Sequence, residues 1–246
     1  HGQTVLCRAD LSAAYLLWRR WALELPWAFV LKVGAVIGVL TLALTAFQWL
    51  PALEYVGLSA RADWGYADLA QGFSVEELRY LFRPHLGEWS PLYVGWAALI
   101  LVAVSPWLGR KQGAILFWMG VVVVALLLSL GGNGFLYPLF YRFAPGFDVF
   151  RHQERAAYLV VLGLAVLAGY GFAGLRERWT PPSWMLPLIL LLIVGDLYRA
   201  NNGVILAPAA TAPSYDPTPA SAYLSAQVAA PTRISSESHL PGDGNA

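Results

Sequence analysis

At 246 residues, 58% of them hydrophobic and only 13% charged, the chain departs from the roughly 45–50% apolar and about 25% charged make-up of soluble domains, in the direction of lipid. Its net charge of +1 offers no basic face to neutralise a duplex, which excludes nucleic acid as a partner. Cys7 is the single cysteine, so neither a disulfide framework nor a thiolate metal site is available.

The chain begins at His1 without a signal-peptide pattern and ends on SSESHLPGDGNA without a closing element, so it reads as a fragment of something longer. Residues 3–21 carry Val5, Leu6, Leu11, Ala14, Tyr15, Leu16 and Trp18, interrupted by Arg8 and Asp10. Two readings stand: the tail of a severed span, or an amphipathic interfacial helix. Arg19 and Arg20 close it. The first complete span is expected over residues 27–49, long enough for the ~20 residues a bilayer core demands, with Pro51 ending it. Lys32 snorkels from its start, and Gly34 with Gly38 makes a small-xxx-small face.

A long polar segment follows, from Ala52 to Ser90. Within it Ser74-Val75-Glu76-Glu77 is a capping box that predicts a short interfacial helix over 75–82, with Leu78, Leu81 and Phe82 toward apolar surroundings. The next residues place Arg83, His85 and Glu88 close to the membrane surface. Ser90-Pro91 is a helix start, and a second span runs over 91–107. Gly109-Arg110-Lys111-Gln112-Gly113 is a tight basic turn. The third span covers 114–130 and stops at Gly131-Gly132-Asn133-Gly134. After an Arg-rich loop the fourth span covers 158–175, with Ala165, Gly169 and Ala173 as a second close-packing face. The fifth, 184–198, is short and interrupted by Pro187 and Asp196. Residues 199–246, rich in Ala, Pro, Ser and Thr, read as the start of a truncated extracytoplasmic domain, with disorder as the competing reading.

The fold class is therefore all-α: a polytopic transmembrane bundle over residues 1–198 with about five complete spans and long outer loops. Arg19/Arg20, Arg110/Lys111 and Arg176/Arg178 fall on one side if the spans alternate, and the positive-inside rule makes that side cytoplasmic. The loop at 51–90, the Arg-rich loop and the tail then lie outside.

Familiar soluble-enzyme signatures are missing: no Walker loop, nucleophile elbow, HExxH or strand-following Rossmann pattern. Gly169-Tyr170-Gly171-Phe172-Ala173-Gly174 sits inside an apolar helix, where close helix packing explains it. His85 and His152 lack partners at ligand spacing, so no metal and no cofactor are expected.

The loop from Gly131 to Arg155 carries the chemistry. It packs Arg142, Asp148, Arg151, His152, Glu154 and Arg155 among aromatics and prolines between two spans, a costly arrangement unless it faces water or binds charge. Asp148 is expected to cap a helix beginning at Val149, leaving Arg151 and Arg155 on one face at i, i+4. Free amides and two guanidinium groups suit a phosphate. The competing reading pairs these arginines with Glu154, Asp148 or lipid headgroups as an anchor. The candidate substrate-binding set is Arg151, Arg155, His152, Arg83, His85 and Glu88, with no catalytic residue assigned. Asp196 is an intramembrane acid, either a site or an interfacially solvated group.

Leu50-Pro51-Ala52-Leu53-Glu54 with Leu58-Ser59-Ala60-Arg61, Phe82-Arg83-Pro84-His85-Leu86-Gly87 with Tyr93-Val94-Gly95, and Tyr137-Pro138 through Pro145-Gly146-Phe147-Asp148-Val149-Phe150-Arg151 to Arg155 follow one another in a set order. This succession resembles the YfhO-type bacterial membrane proteins over most of the stretch from Phe47 to Asp196. His152-Gln153 stands where a proline is usual in the arginine spacing, and no counterpart of the outer-loop catalytic acid is present. The resemblance implies a multi-pass protein of the bacterial cytoplasmic membrane related to GT-C glycosyltransferases, which move a sugar from a polyprenyl-phosphate carrier to an acceptor on the outer face. Expected partners are membrane lipids, polyprenyl phosphate and other membrane subunits. The alternative function is a non-catalytic accessory or scaffold subunit of a larger complex. A transporter ranks third, because the spans hold few polar residues to line a pathway.

Overall fold

The computed structural model describes residues 2–57, 64–84, 91–179 and 182–205. The Leu58–Arg61 motif, His85, Glu88, the Ser90 cap and the tail from residue 206 lie outside these. About 80% of the described residues are helical, and none is in a strand. Eight α-helices follow in order: α1 Gly2–Leu23, α2 Trp27–Gly57, α3 Tyr66–Leu69, α4 Trp96–Leu108, α5 Gln112–Ser129, α6 Leu136–Phe143, α7 Ala157–Arg178 and α8 Met185–Ile205. Short 3-10 turns occupy Val75–Leu81, Gly131–Asn133 and Gln153–Ala156, the last running directly into α7.

Among the described residues, three stretches are long and apolar enough to cross a bilayer: Trp27–Ala52, Gln112–Ser129 and Gln153–Arg178. Trp96–Leu108 is apolar but shorter. Its helix starts at Trp96, not at Pro91, because Leu92, Tyr93 and Val94 enter the core on a non-helical segment. Gly95, at φ +90, makes the turn from that segment into α4, a conformation that suits a residue without Cβ. Pro51 does not end α2, which continues through it to Gly57. A proline there removes one helix hydrogen bond and crowds the preceding turn, and the apolar run on both sides keeps the rest of the ladder out of water. α8 likewise extends beyond residue 198, as far as Ile205.

The core is built on α7, which packs against α4 and α5. Leu92, Val94, Ala98, Leu101, Ala125, Leu159, Val160, Leu164 and Ala168 form its buried apolar cluster. Glycine decides how closely these helices approach. A Cβ at Gly171 would strike the Leu101 carbonyl of α4, one at Gly174 the Leu108 carbonyl, and one at Gly163 the Val122 side chain of α5. The expected Ala165–Gly169–Ala173 face is not the one used. Ala165, Gly169 and Ala173 are exposed, and no atom lies within 4 Å of a Cβ at Gly169. Nor does any atom lie within 4 Å of a Cβ at Gly34 or Gly38.

α1 joins the core through Cys7 and Leu11, and its Trp18 stacks on Phe117 of α5 at 5.0 Å. α8 adds Ile189 and Ile193. α2 is different: only 6% of its apolar window is buried, which leaves a helix hydrophobic all round facing outward. Lipid is the medium that accommodates such a surface.

One end of the bundle collects the basic connections. Arg110 pairs with Glu177 at 2.9 Å, Arg178 donates to the Trp107 carbonyl at 3.0 Å, and the Arg20 guanidinium lies 4.4 Å over the Trp27 ring. Trp21, Trp107, Trp179 and Trp184 are exposed around the same end, as an interfacial aromatic belt requires. Arg110, Glu177 and Arg178 thus meet at one end of the bundle.

Gly171→Leu should separate α4 from α7 and lower stability by about 1–3 kcal/mol or more, the overpacking cost of a filled core. Gly169→Leu, on the open face, should leave the unfolding temperature in detergent unchanged or slightly raised.

Candidate functional site

Opposite the basic end, three segments converge on one another: residues 64–74, 129–134 and 144–155. Backbone bonds join them, with Phe73 N donating to Ser129 O at 2.9 Å, Gly132 N to Ala70 O at 2.6 Å and Gln153 N to Gln71 O at 2.7 Å. Asn133 Nδ2 donates to Phe73 O at 3.0 Å. Buried loop backbone must find partners, and these bonds supply them where little water reaches.

Tyr137 anchors the interior of this cap. It is fully buried (0% exposed), and its hydroxyl donates to Phe147 O at 3.1 Å, with Leu69 O at 3.4 Å as a second acceptor. Tyr66 stacks on its ring at 5.8 Å, and Phe140 meets Phe147 edge-on at 5.0 Å. Burial, then the charges of Tyr141, Tyr66 and Asp148, push the Tyr137 phenol above its usual range.

The turn carrying the expected ligands differs from expectation. Asp148 does not cap a helix. Residues 145–149 form turns, with Val149 N donating to Gly146 O at 3.3 Å. Gly146 itself has φ +89 and lies beneath the Leu6 side chain of α1, so neither the conformation nor the space admits a larger residue. Helix begins only at Gln153, so Arg151 precedes it and does not share a helix face with Arg155. His152 occupies the cap position in left-handed backbone, φ +70. Its Nδ1 meets Glu154 Oε1 at 2.9 Å. The first amide, Gln153 N, is taken by Gln71 O, and Glu154 already supplies negative charge in the first turn. What remains for an anion is the side chains. Arg151 is half-buried with its guanidinium 4.8 Å over the Trp64 ring, and Arg155 is half-buried one helical turn on.

Arg83 does not join this turn. It ends the Val75–Leu81 segment, exposed, and its side chain makes no hydrogen bond or ion pair among the described residues. His85 and Glu88 lie outside the described residues. The capping box is present: Ser74 N donates to Glu77 Oε2 at 2.7 Å. The helix it starts is 3-10, and Leu78 and Leu81 pack on the core while Phe82 stays exposed. Among the described residues no cluster of His, Cys, Asp or Glu could hold a metal.

Asp196 is neither an isolated acid nor simply solvated. Its Oδ2 accepts from the Tyr93 hydroxyl at 2.7 Å and from Trp96 N at 3.1 Å, and its Oδ1 lies 3.3 Å from Arg199 Nη2. A carboxylate from α8 thus caps the first turn of α4.

Two buried glutamines had no place in the sequence reading as site residues. Gln3 and Gln153 are each 2% exposed. Gln153 Nε2 donates to Phe150 O at 2.6 Å and Leu69 O at 3.3 Å, which fixes the turn from within. The only sequence signal was an uncharged polar side chain at the edge of an apolar run.

Tyr137→Phe should cost about 1–2 kcal/mol at neutral pH, since the Phe147 carbonyl loses its donor in a buried setting. A phenol whose folded pKa is raised contributes stability below the unfolded value of about 10 and loses it as pH rises further. Wild-type stability should therefore fall above that pH more steeply than Tyr137→Phe stability does, as thermal melts across an alkaline series would show. No family model, curated protein or solved structure matches the chain.

Proposed function

We propose that this chain is the membrane portion of a GT-C-like glycosyltransferase using a polyprenyl-phosphate-linked sugar, resident in a bacterial cytoplasmic membrane. The observation that carries the reading is the gathering of Arg151, His152 and Arg155 in one clamped turn, at the bundle end opposite the basic connections. The resemblance of the Pro145–Arg155 stretch to YfhO-type proteins supports the same assignment. In this reading α2, α4, α5, α7 and α8 cross the bilayer, α4 being completed by the extended segment before it. The end with Arg110 and Arg178 is cytoplasmic, and the turn faces outward.

At that outer boundary Arg151 and Arg155 present planar guanidinium forks to the carrier's phosphate. Each charge-assisted bond contributes about 1.5–3 kcal/mol in a partly dehydrated setting. Trp64 holds the Arg151 guanidinium plane, so the fork is pre-oriented. The described residues supply anion binding in this reading and no catalytic acid. A second reading, an accessory or scaffold subunit, is favoured by the outward-facing α2 with its uncovered Gly34 and Gly38.

Orientation is tested by cysteines at Gly113, exposed at the basic end, and at Phe135, exposed at the other. An impermeant maleimide should label Phe135→Cys and spare Gly113→Cys in intact cells, with Cys7 buried and silent. Equal labelling of both would sink the assignment. Function is tested by retention of polyprenyl phosphate on purified protein. Arg151→Lys and Arg155→Lys keep charge and lose the fork, so retention should drop about tenfold for each, equivalent to roughly 1.4 kcal/mol. Undiminished retention in both would leave the scaffold reading.

A further inference from the structure

The Gln3 carboxamide reaches the Arg151–His152 turn from the first turn of α1. In one amide orientation Gln3 Nε2 donates to Gln153 Oε1 at 2.8 Å, and the Gln3 oxygen then faces the carbonyls of Arg151 and His152. The other orientation gives two bonds in place of one, Nε2 donating to Arg151 O and to His152 O, both at 2.9 Å. It leaves the Gln3 oxygen against Gln153 Oε1, which cannot turn to donate because its own nitrogen serves Phe150 O and Leu69 O. In this second orientation Gln3 is the donor that the Arg151 and His152 carbonyls share.

The same carbonyls belong to the strained part of the turn. His152 holds left-handed backbone without being glycine, which persists only where surrounding structure over-determines it. The restraint comes from α1. Besides Gln3, Thr4 O accepts from the Tyr158 hydroxyl at 3.1 Å, and Leu6 covers Gly146.

We propose that Gln3 is a positioning residue for the anion site: it pins the Arg151 and His152 carbonyls inward, so that the Arg151 guanidinium and the His152 imidazole are held at the rim. This rests on the reading of that turn as the site for the carrier's phosphate. Gln3 does not touch the anion; it acts through the backbone of the turn that carries Arg151.

The experiment compares wild type, Gln3→Leu, His152→Gly and the double variant, with Gln3→Asn, too short to reach both carbonyls, used where Gln3→Leu does not fold. Hydrogen exchange of the amides over residues 149–155 should accelerate at least about tenfold in Gln3→Leu, the scale of one lost buried bond, while amides inside α4 and α7 keep their protection. Polyprenyl phosphate retention should drop to about the level of Arg151→Lys, roughly tenfold. Glycine adopts left-handed backbone without strain, so Gln3→Leu should cost much less in the His152→Gly background. Unchanged exchange, or an equal loss in both backgrounds, overturns the positioning role. Retention that survives Gln3→Leu but falls in Arg151→Lys also overturns it and leaves the anion site standing. Retention that survives in both removes the site itself.

Discussion

Close approach of α7 to α4 and α5 is the contact on which the rest of the molecule depends. In lipid the solvent is as apolar as leucine, so helices gain little by merely hiding hydrophobic surface. They associate where backbones come near enough for dense dispersion contact. Gly163, Gly171 and Gly174 provide that proximity, and the Leu101 and Leu108 carbonyls lie directly against α7. α1 joins this unit through Cys7 and Leu11, α8 through Ile189 and Ile193, and the 3-10 segment through Leu78 and Leu81.

The two ends of the bundle solve a different problem. At the basic end, charged groups meet carbonyls and one another in the open, as in the Arg110–Glu177 pair with its highly exposed arginine, and such pairs contribute little by themselves. At the opposite end non-helical segments pack against one another around the buried Leu69, Phe73, Phe147 and Gln153, and the backbone groups that meet there find internal partners. The bonds of Phe73, Gly132 and Gln153, with the side chains of Asn133, Tyr137 and both glutamines, satisfy that demand. A side effect is rigidity. The turn bearing Arg151 and His152 is fixed from beneath, whereas its charged side chains stand at the rim.

Asp196 illustrates how the same physics governs a single residue. An acid near the middle of α8 is expensive in an apolar setting unless donors meet it. The start of α4 offers them, through the Tyr93 hydroxyl and the Trp96 amide, and Arg199 stands beside it. The first turn of α4 needs an acceptor and the acid needs donors, and one contact answers both.

Composition and periodicity by themselves determined the class of this protein: an all-helical chain with apolar stretches, a capping box at Ser74, and basic turns gathered at one end. Those features follow from local rules, because a lipid-facing helix must be apolar all round and a short basic turn must stay in water. They also singled out the Arg151–Arg155 turn, since charge between apolar runs is conspicuous. Which glycine face packs was decided only by the tertiary structure: Ala165–Gly169–Ala173 and Gly163–Gly171–Gly174 are equally plausible stripes until α4 and α5 choose one. The same applies to the start of α4 at Trp96, fixed by a carboxylate of α8 from a hundred residues away. It applies again to the left-handed turn at His152, which Asp148 does not cap and a glutamine of α1 pins instead. Each of these depends on a partner distant in sequence, and local pattern carries no information about which distant group will arrive.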